Sequence, residues 1–230
     1  LRRAAAGAKR VRVELLRAKY PQGGEKQLIW ALTGRQVPTG KLPMAVGCVV
    51  QNVATAAAVR DAVLRGRPLT ERIVTVTGDA VAEPRNLRVR LGTPYSHLVE
   101  ACGGLRGELR KLISGGPMMG RAQVSLEQPV IKATSGLLLL GPEAAAPLTE
   151  GPCIRCGACL QACPAVLNPT ELSDVVAAER WEDLEAAGLM DCIECGSCSY
   201  ICPAARHLVH RIRLGKSHLR RRAQRAKATG

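Results

Sequence analysis

The sequence predicts a multidomain α+β protein whose last part is purely helical and duplicated. Three observations carry this. Residues 71–140 hold β-branched and alternating apolar runs around one short helical stretch, the pattern of a small α+β module. Residues 141–151 are rich in Ala, Pro and Gly and read as a linker. Residues 152–215 contain eight cysteines in two copies of one motif, with helical periodicity between them. The expected organisation is therefore 1–70, 71–140, a linker at 141–151, 152–215, and a basic tail at 216–230.

Residues 1–20 are basic and are expected to form a helix or a strand–helix edge. Pro21-Gln22-Gly23-Gly24 is a turn, Glu25 to Thr33 has helical character, and Gly34 is a stop. Pro38 to Pro43 is loop, and Val46 to Val50 is a short apolar run. Asn52 to Leu64 reads as a helix ending at Gly66. The period then changes. Ile73 to Thr77 is a strand ended by the turn signal Gly78-Asp79, and Leu87, Val89 and Leu91 alternate with Arg88 and Arg90 as a half-buried strand. Thr93-Pro94 opens a helix through Glu100 that stops at Gly103-Gly104. The loop Gly115-Gly116-Pro117 leads to more strand, and Gly136 to Leu140 is the last strand. Pro169 to Ala187 should form two short helices meeting near Arg180-Trp181.

The formal charge is +14. Much of the excess lies at the ends, in Arg2, Arg3, Lys9, Arg10, Arg12, Arg17 and Lys19, and in the run from Arg206 to Lys227, which contains no acid. Such ends suit a solvated helix, an anionic membrane surface or an acidic protein. With aromatics at 2% and no Phe, the chain lacks a stacking platform for bases, so nucleic acid is not expected as a partner. No run of apolar residues is long enough to span a bilayer. Because the chain begins at Leu1 rather than Met, we expect an N-terminal portion to precede it.

Each cysteine motif is C-x₂-C-x₂-C-x₃-C-P. The first uses Cys153, Cys156, Cys159 and Cys163 before Pro164, and the second Cys192, Cys195, Cys198 and Cys202 before Pro203. Two-residue gaps let a short loop aim three thiolates at three irons of one cubane, while the fourth thiolate serves the other cluster. The expected ligand sets for two [4Fe–4S] clusters are thus Cys153, Cys156, Cys159 and Cys202 for cluster 1, and Cys192, Cys195, Cys198 and Cys163 for cluster 2. Structural zinc would want two C-x₂-C pairs instead. Arg155 against Glu194 is the one charge difference between the loops, and the Arg155 cluster is expected to have the higher potential. Cys48 and Cys102 are expected to be ordinary buried thiols, and His97, His207, His210 and His218 surface residues. Met118-Met119 is expected to pack as a loop on the core. No nucleophile–base arrangement is present, so no catalytic residue is expected and the chemistry belongs to the cofactors.

Several segments together resemble a known family, RnfC, a component of the Rnf electron-transport complex, which is an ion-translocating ferredoxin:NAD oxidoreductase. The carrying segments are Tyr20-Pro21-Gln22-Gly23-Gly24-Glu25-Lys26-Gln27-Leu28, Val49 to Thr55, Glu71 to Val81, Gly115 to Gly120, and both cysteine repeats. The resemblance implies that residues 1–70 are the end of a domain like the flavin- and NADH-binding subunit of respiratory complex I. It implies a β-grasp soluble-ligand-binding (SLBB) module at 71–140 and an α-helical two-cluster ferredoxin domain after it. Gly24 and Glu25 match a turn that approaches flavin and nicotinamide, and Asn52 and Thr55 match positions that hold FMN. The family's Gly-rich flavin loop is not in this chain, and Lys26 stands where the relative has an acid, so FMN and NAD(H) are expected of a longer protein. The implied partners are the other subunits of a membrane complex and ferredoxin or a similar carrier, at the cytoplasmic face of the bacterial inner membrane as a peripheral subunit. The alternative is a soluble reductase built of the same modules, like the cobalamin reductase of bacterial microcompartments.

Overall fold

The computed structural model describes residues 7, 8 and 10–228. Arg2, Arg3 and Lys9 of the basic N-terminal run lie outside the described residues. Residues 11–19 form neither helix nor strand, which corrects the expected helix or strand edge. Val11 and Leu15 are exposed, and Arg10, Arg12, Arg17 and Lys19 face only Glu14. Without a buried face, a short helix does not recover its nucleation cost.

Helix α1 spans Glu25–Thr33 and ends at Gly34, whose φ of 68° is the left-handed C-cap expected of it. A 3-10 turn follows at Pro43–Val46, where the sequence suggested an apolar run starting at Val46. Helix α2 spans Val53–Arg65, with Asn52 as N-cap accepting from the Ala54 amide and Gly66 as C-cap. Both limits agree with the sequence reading to within a residue. No residue of α2 is buried.

Strands β1 (Glu71–Thr77) and β2 (Arg85–Arg90) are followed by helix α3 (Tyr95–Ala101), then β3 (Lys111–Ser114), β4 (Arg121–Gln123) and β5 (Gly136–Leu140). The sheet order is β2-β1-β5-β3-β4. β1 runs parallel to β5, and the other neighbours are antiparallel. A parallel central pair flanked by two antiparallel ones, with one helix between β2 and β3, is the β-grasp arrangement. Val74 and Val76 alternate inward, against Leu98, Val99, Leu112, Leu137 and Leu139. Each such side chain taken fully from water contributes about 1.5–3 kcal/mol as an upper estimate. Gly78-Asp79 does more than turn the chain. Asp79 Oδ1 accepts from the Gly141 amide at 3.0 Å, which fastens the start of the linker to the sheet.

The cysteine-rich part contains α4 (Ala158–Gln161), α5 (Pro169–Ala177), α6 (Asp183–Ala186), a 3-10 turn at Leu189–Asp191, α7 (Ser197–Tyr200) and α8 (Leu208–Ala228). Asn168 caps α5 by accepting from the Glu171 amide. α5 and α8 pack against each other around Leu172, Val175, Val176, Leu184, Leu189, Ile212 and Leu219. Their approach is close at Gly215, where a Cβ would stand 2.7 Å from Val176 Cγ2. Helix α8 runs unbroken through the boundary expected at 216, and both Lys216 and Leu219 are buried. Its described part beyond Leu219 carries Arg220, Arg221 and Arg222 outward. Among the described residues, no helix is long and apolar enough to cross a membrane.

Candidate metal centre

The two cysteine loops are built alike, residue for residue, at a spacing of thirty-nine. Arg155 and Glu194 have φ of 55° and 56°, and Val166 and Ala205 have 53° and 50°. Gly157 and Gly196, at 75° and 83°, begin α4 and α7. The left-handed conformation costs a residue with a side chain about 1–2 kcal/mol. Its recurrence at equivalent non-glycine positions marks a backbone shaped for a task. Amides turn inward with it: Arg155 N–H to Cys153 Sγ at 3.4 Å, Glu194 N–H to Cys192 Sγ at 3.3 Å and Leu167 N–H to Cys163 Sγ at 3.4 Å. The repeat continues into the helices, since α5 begins at Pro169 and α8 at Leu208.

Cys163, the last cysteine of the first motif, does not stay with its own loop. It lines one cavity together with Cys192, Cys195 and Cys198 of the second motif. Leu172, Ile212 and Pro164 close that cavity with apolar surface. Cys195 and Cys198 are buried, and burial pushes the Cys198 thiol up to about 11 and the Cys192 thiol up as well. Free of metal, Cys192 and Cys198 stay protonated at neutral pH, and a bound metal would hold them as thiolates. Cys153 and Cys156 are exposed, while Cys159 and Cys202 are half-buried. The Gly151 amide bonds the Ala204 carbonyl at 2.8 Å, which brings the start of the first motif to the end of the second.

The donor set fits iron–sulfur clusters. Among the described residues, no three His, Cys, Asp or Glu side chains are gathered as a single metal ion would hold them. Thiols spread around a cavity, with amides pointing at sulfur, suit a larger inorganic core. The Arg206 side chain hydrogen-bonds Cys153, and its buried Nη1 has no partner among the described residues.

Several contacts around the loops were not legible in the sequence. The Tyr20 hydroxyl donates to the Cys195 carbonyl. The Thr39 hydroxyl donates to Asp191 Oδ2 at 2.9 Å. A Cβ on Gly196 would stand 2.9 Å from the Met118 carbonyl, so the Gly115–Gly120 loop leans on the second cysteine loop rather than on the sheet core alone. Glu150 receives Arg211 at 2.6 Å, and Arg206 bonds Asp174 at 2.7 Å. Arg211 holds the Glu150 carboxyl below its ordinary range. Cys102 is buried as expected, but Cys48 is only half-buried. His97, His207 and His210 are exposed. His218 is half-buried and stacks on Trp181, with ring centroids 4.1 Å apart, which corrects its reading as a surface residue; Trp181 supplies the flat partner.

Gly24 and Glu25 stand at the start of α1, and Asn52 and Thr55 at the start of α2. None of the four lines the cysteine cavity or the open groove between residues 19–39, the Met118 loop and Tyr200. The Asn52 side chain is engaged in capping. These residues do not by themselves enclose a flavin.

A β-grasp module joined to duplicated cysteine loops defines an iron–sulfur protein. Family models agree along the chain: the Nuo51 FMN-binding domain matches residues 1–61, the SLBB domain residues 73–122, and the 4Fe-4S dicluster domain residues 148–203. The C subunit of the proton-translocating ferredoxin:NAD(+) oxidoreductase complex of Clostridium ljungdahlii is 50% identical over 99% of this chain and 50% of its own length. The C subunit of the Na(+)-translocating ferredoxin:NAD(+) oxidoreductase complex of Acetobacterium woodii is 48% identical over 90% of this chain and 47% of its own. The C subunit of the ion-translocating oxidoreductase complex of Pseudomonas aeruginosa is 47% identical over 96% of this chain and 29% of its own. The chain belongs to this RnfC family, and it spans about half the length, or less, of these relatives.

Proposed function

We propose that this chain is the iron–sulfur relay of an RnfC protein, passing electrons between NAD(H) and ferredoxin within a membrane-bound complex that couples the flow to ion translocation. Bound [4Fe–4S] clusters would supply two adjacent one-electron stores. Cys192, Cys195, Cys198 and Cys163 hold one, and Cys153, Cys156, Cys159 and Cys202 hold the other. The observation that carries this reading is Cys163 lining the cavity of the second loop. Tyr20, Thr39 and Met118 press on the second repeat, so its cluster faces the N-terminal segment. The exposed Cys153–Cys156 loop then faces an outside partner. Gly24, Glu25, Asn52 and Thr55 are this chain's contribution to a flavin and nicotinamide site completed by other residues. The chain docks on the other subunits as a peripheral component at the cytoplasmic face.

Anaerobic reconstitution tests the proposal. About eight irons per chain and a broad visible band bleached by dithionite are expected from two four-iron clusters. A colourless, zinc-loaded protein overturns it. Cys163→Ser should remove the centre of the second loop, and loss of the first centre instead would overturn the crossed assignment.

A further inference from the structure

Considering the loops alone, Glu194 makes the second cluster the more negative site. The surroundings of Glu194 reverse that. Its carboxylate meets three cations of α8: Arg213 Nε at 3.2 Å, Lys216 Nζ at 3.2 Å and Arg220 Nη2 at 4.0 Å. One acid among three bases leaves positive charge in excess. The three are not equal. The Arg220 side chain is 61% exposed and the Arg213 side chain 38%, whereas Lys216 is 6% exposed. Water and salt screen the first two far more than the third. The Lys216 ammonium also donates to the carbonyl of Cys192, a residue of the cysteine cavity.

The first loop has no cation at the equivalent positions. The position equivalent to Lys216 in the repeat is Ala177, and the one equivalent to Arg213 is Asp174. Arg155 is exposed. Arg206, the half-buried cation beside Cys153 there, is already met by Asp174 at 2.7 Å and by Glu150 at 3.9 Å. A cluster becomes more negative on reduction, so burial lowers its potential and a nearby unscreened cation raises it.

We propose that Lys216 is the residue that sets the reduction potential of the cluster held by Cys163, Cys192, Cys195 and Cys198, holding it above the value its burial would give. Lys216 is a positioning residue in this role. It acts through its charge and through the Cys192 backbone, and touches no substrate. The inference rests on the cluster reading above.

The test is a redox titration of the whole chain, reconstituted anaerobically and followed by paramagnetic resonance. The unsubstituted chain must first show two reducible centres; their absence defeats the cluster reading itself, not the role of Lys216. With both present, Lys216→Met should move one midpoint to more negative potential and leave the other in place. The midpoint that moves should be the one lost in Cys192→Ser. Lys216→Arg should retain the original value, and Glu194→Gln should move the same midpoint the opposite way. Two unmoved midpoints, or two that move together, in Lys216→Met overturn the proposal. Should that variant not assemble its clusters, Glu194→Gln decides: a positive shift of one midpoint supports the role, and no shift overturns it.

Discussion

The hydroxyl of Tyr20 donates a 2.6 Å hydrogen bond to the carbonyl of Cys195, across 175 residues of chain. Through this bond the N-terminal segment, whose residues 11–19 form neither helix nor strand, is fixed to the second cysteine loop. Burial beside Cys195 pushes the Tyr20 phenol above its ordinary range, so it remains a neutral donor at physiological pH.

Tyr20→Phe should therefore keep the ring's packing and lose only the bond. The expected cost is about 1 kcal/mol, seen as a lower denaturant midpoint. Tryptic cleavage after Lys19 and Lys26 should also quicken. Unchanged cleavage would mean the segment is held by other contacts.

Gly196 and Gly157 occupy equivalent places and should respond differently to alanine. Both have positive φ, so both variants carry backbone strain of about 1–2 kcal/mol. Only at Gly196 does the new Cβ approach the Met118 carbonyl; at Gly157 nothing lies within 4 Å. Gly196→Ala should be the less stable of the two and retain less iron, measured by denaturation and by metal content.

Gly215→Ala tests the crossing of α5 and α8. The added methyl would meet Val176, Leu184 and Leu189. Overpacking of this kind costs about 1–3 kcal/mol, more than alanine's better helix propensity returns, which is about 1 kcal/mol. A more stable variant would show that the helices can part at little cost.

Cluster assembly should quicken with pH. Cys198 stands at about 11 in the folded chain, so below that value it is mostly the thiol. Its thiolate fraction rises about tenfold for each unit of pH approaching 11. Assembly consumes thiolate and releases protons. The growth of visible absorbance should be faster at about pH 9 than at about pH 7. A pH-independent rate would show that deprotonation of the buried thiols does not limit assembly. The stability of the metal-free fold carries the opposite sign. The unfolded thiol ionises near about 8.5, so stability falls as pH rises from there towards 11.

Local chemistry was the legible part of this molecule. Asn52 and Gly66 announced both ends of α2, Gly34 ended α1, and alternation at Leu87 and Val89 gave β2. The cysteine spacing identified the two loops, and Cys163 lies at the cavity of the second. Long-range relations were not legible. Nothing near Thr75 says that β1 will lie parallel to β5, because Val74 and Val76 find their core partners in Leu98, Leu137 and Leu139, far along the chain. Tyr20 and Thr39 act through partners 175 and 152 residues away. Lys216 acts through a fold that turns it inward, and nothing local to any of the three names its partner. The sign of the charge at Glu194 was misleading for the same reason, since its three cations lie on α8, a helix after the motif.

The thirty-nine-residue recurrence that runs from Cys153 and Cys192 through to the first turns of α5 and α8 bears on ancestry. On the crossed assignment, neither half owns a complete set of ligands. A forerunner consisting of one half would have held a cubane only by pairing with a second molecule of itself, each lending the other its last thiol. Fusion of two such copies into one polypeptide would make that exchange obligatory, and would free the two halves to acquire unlike charges.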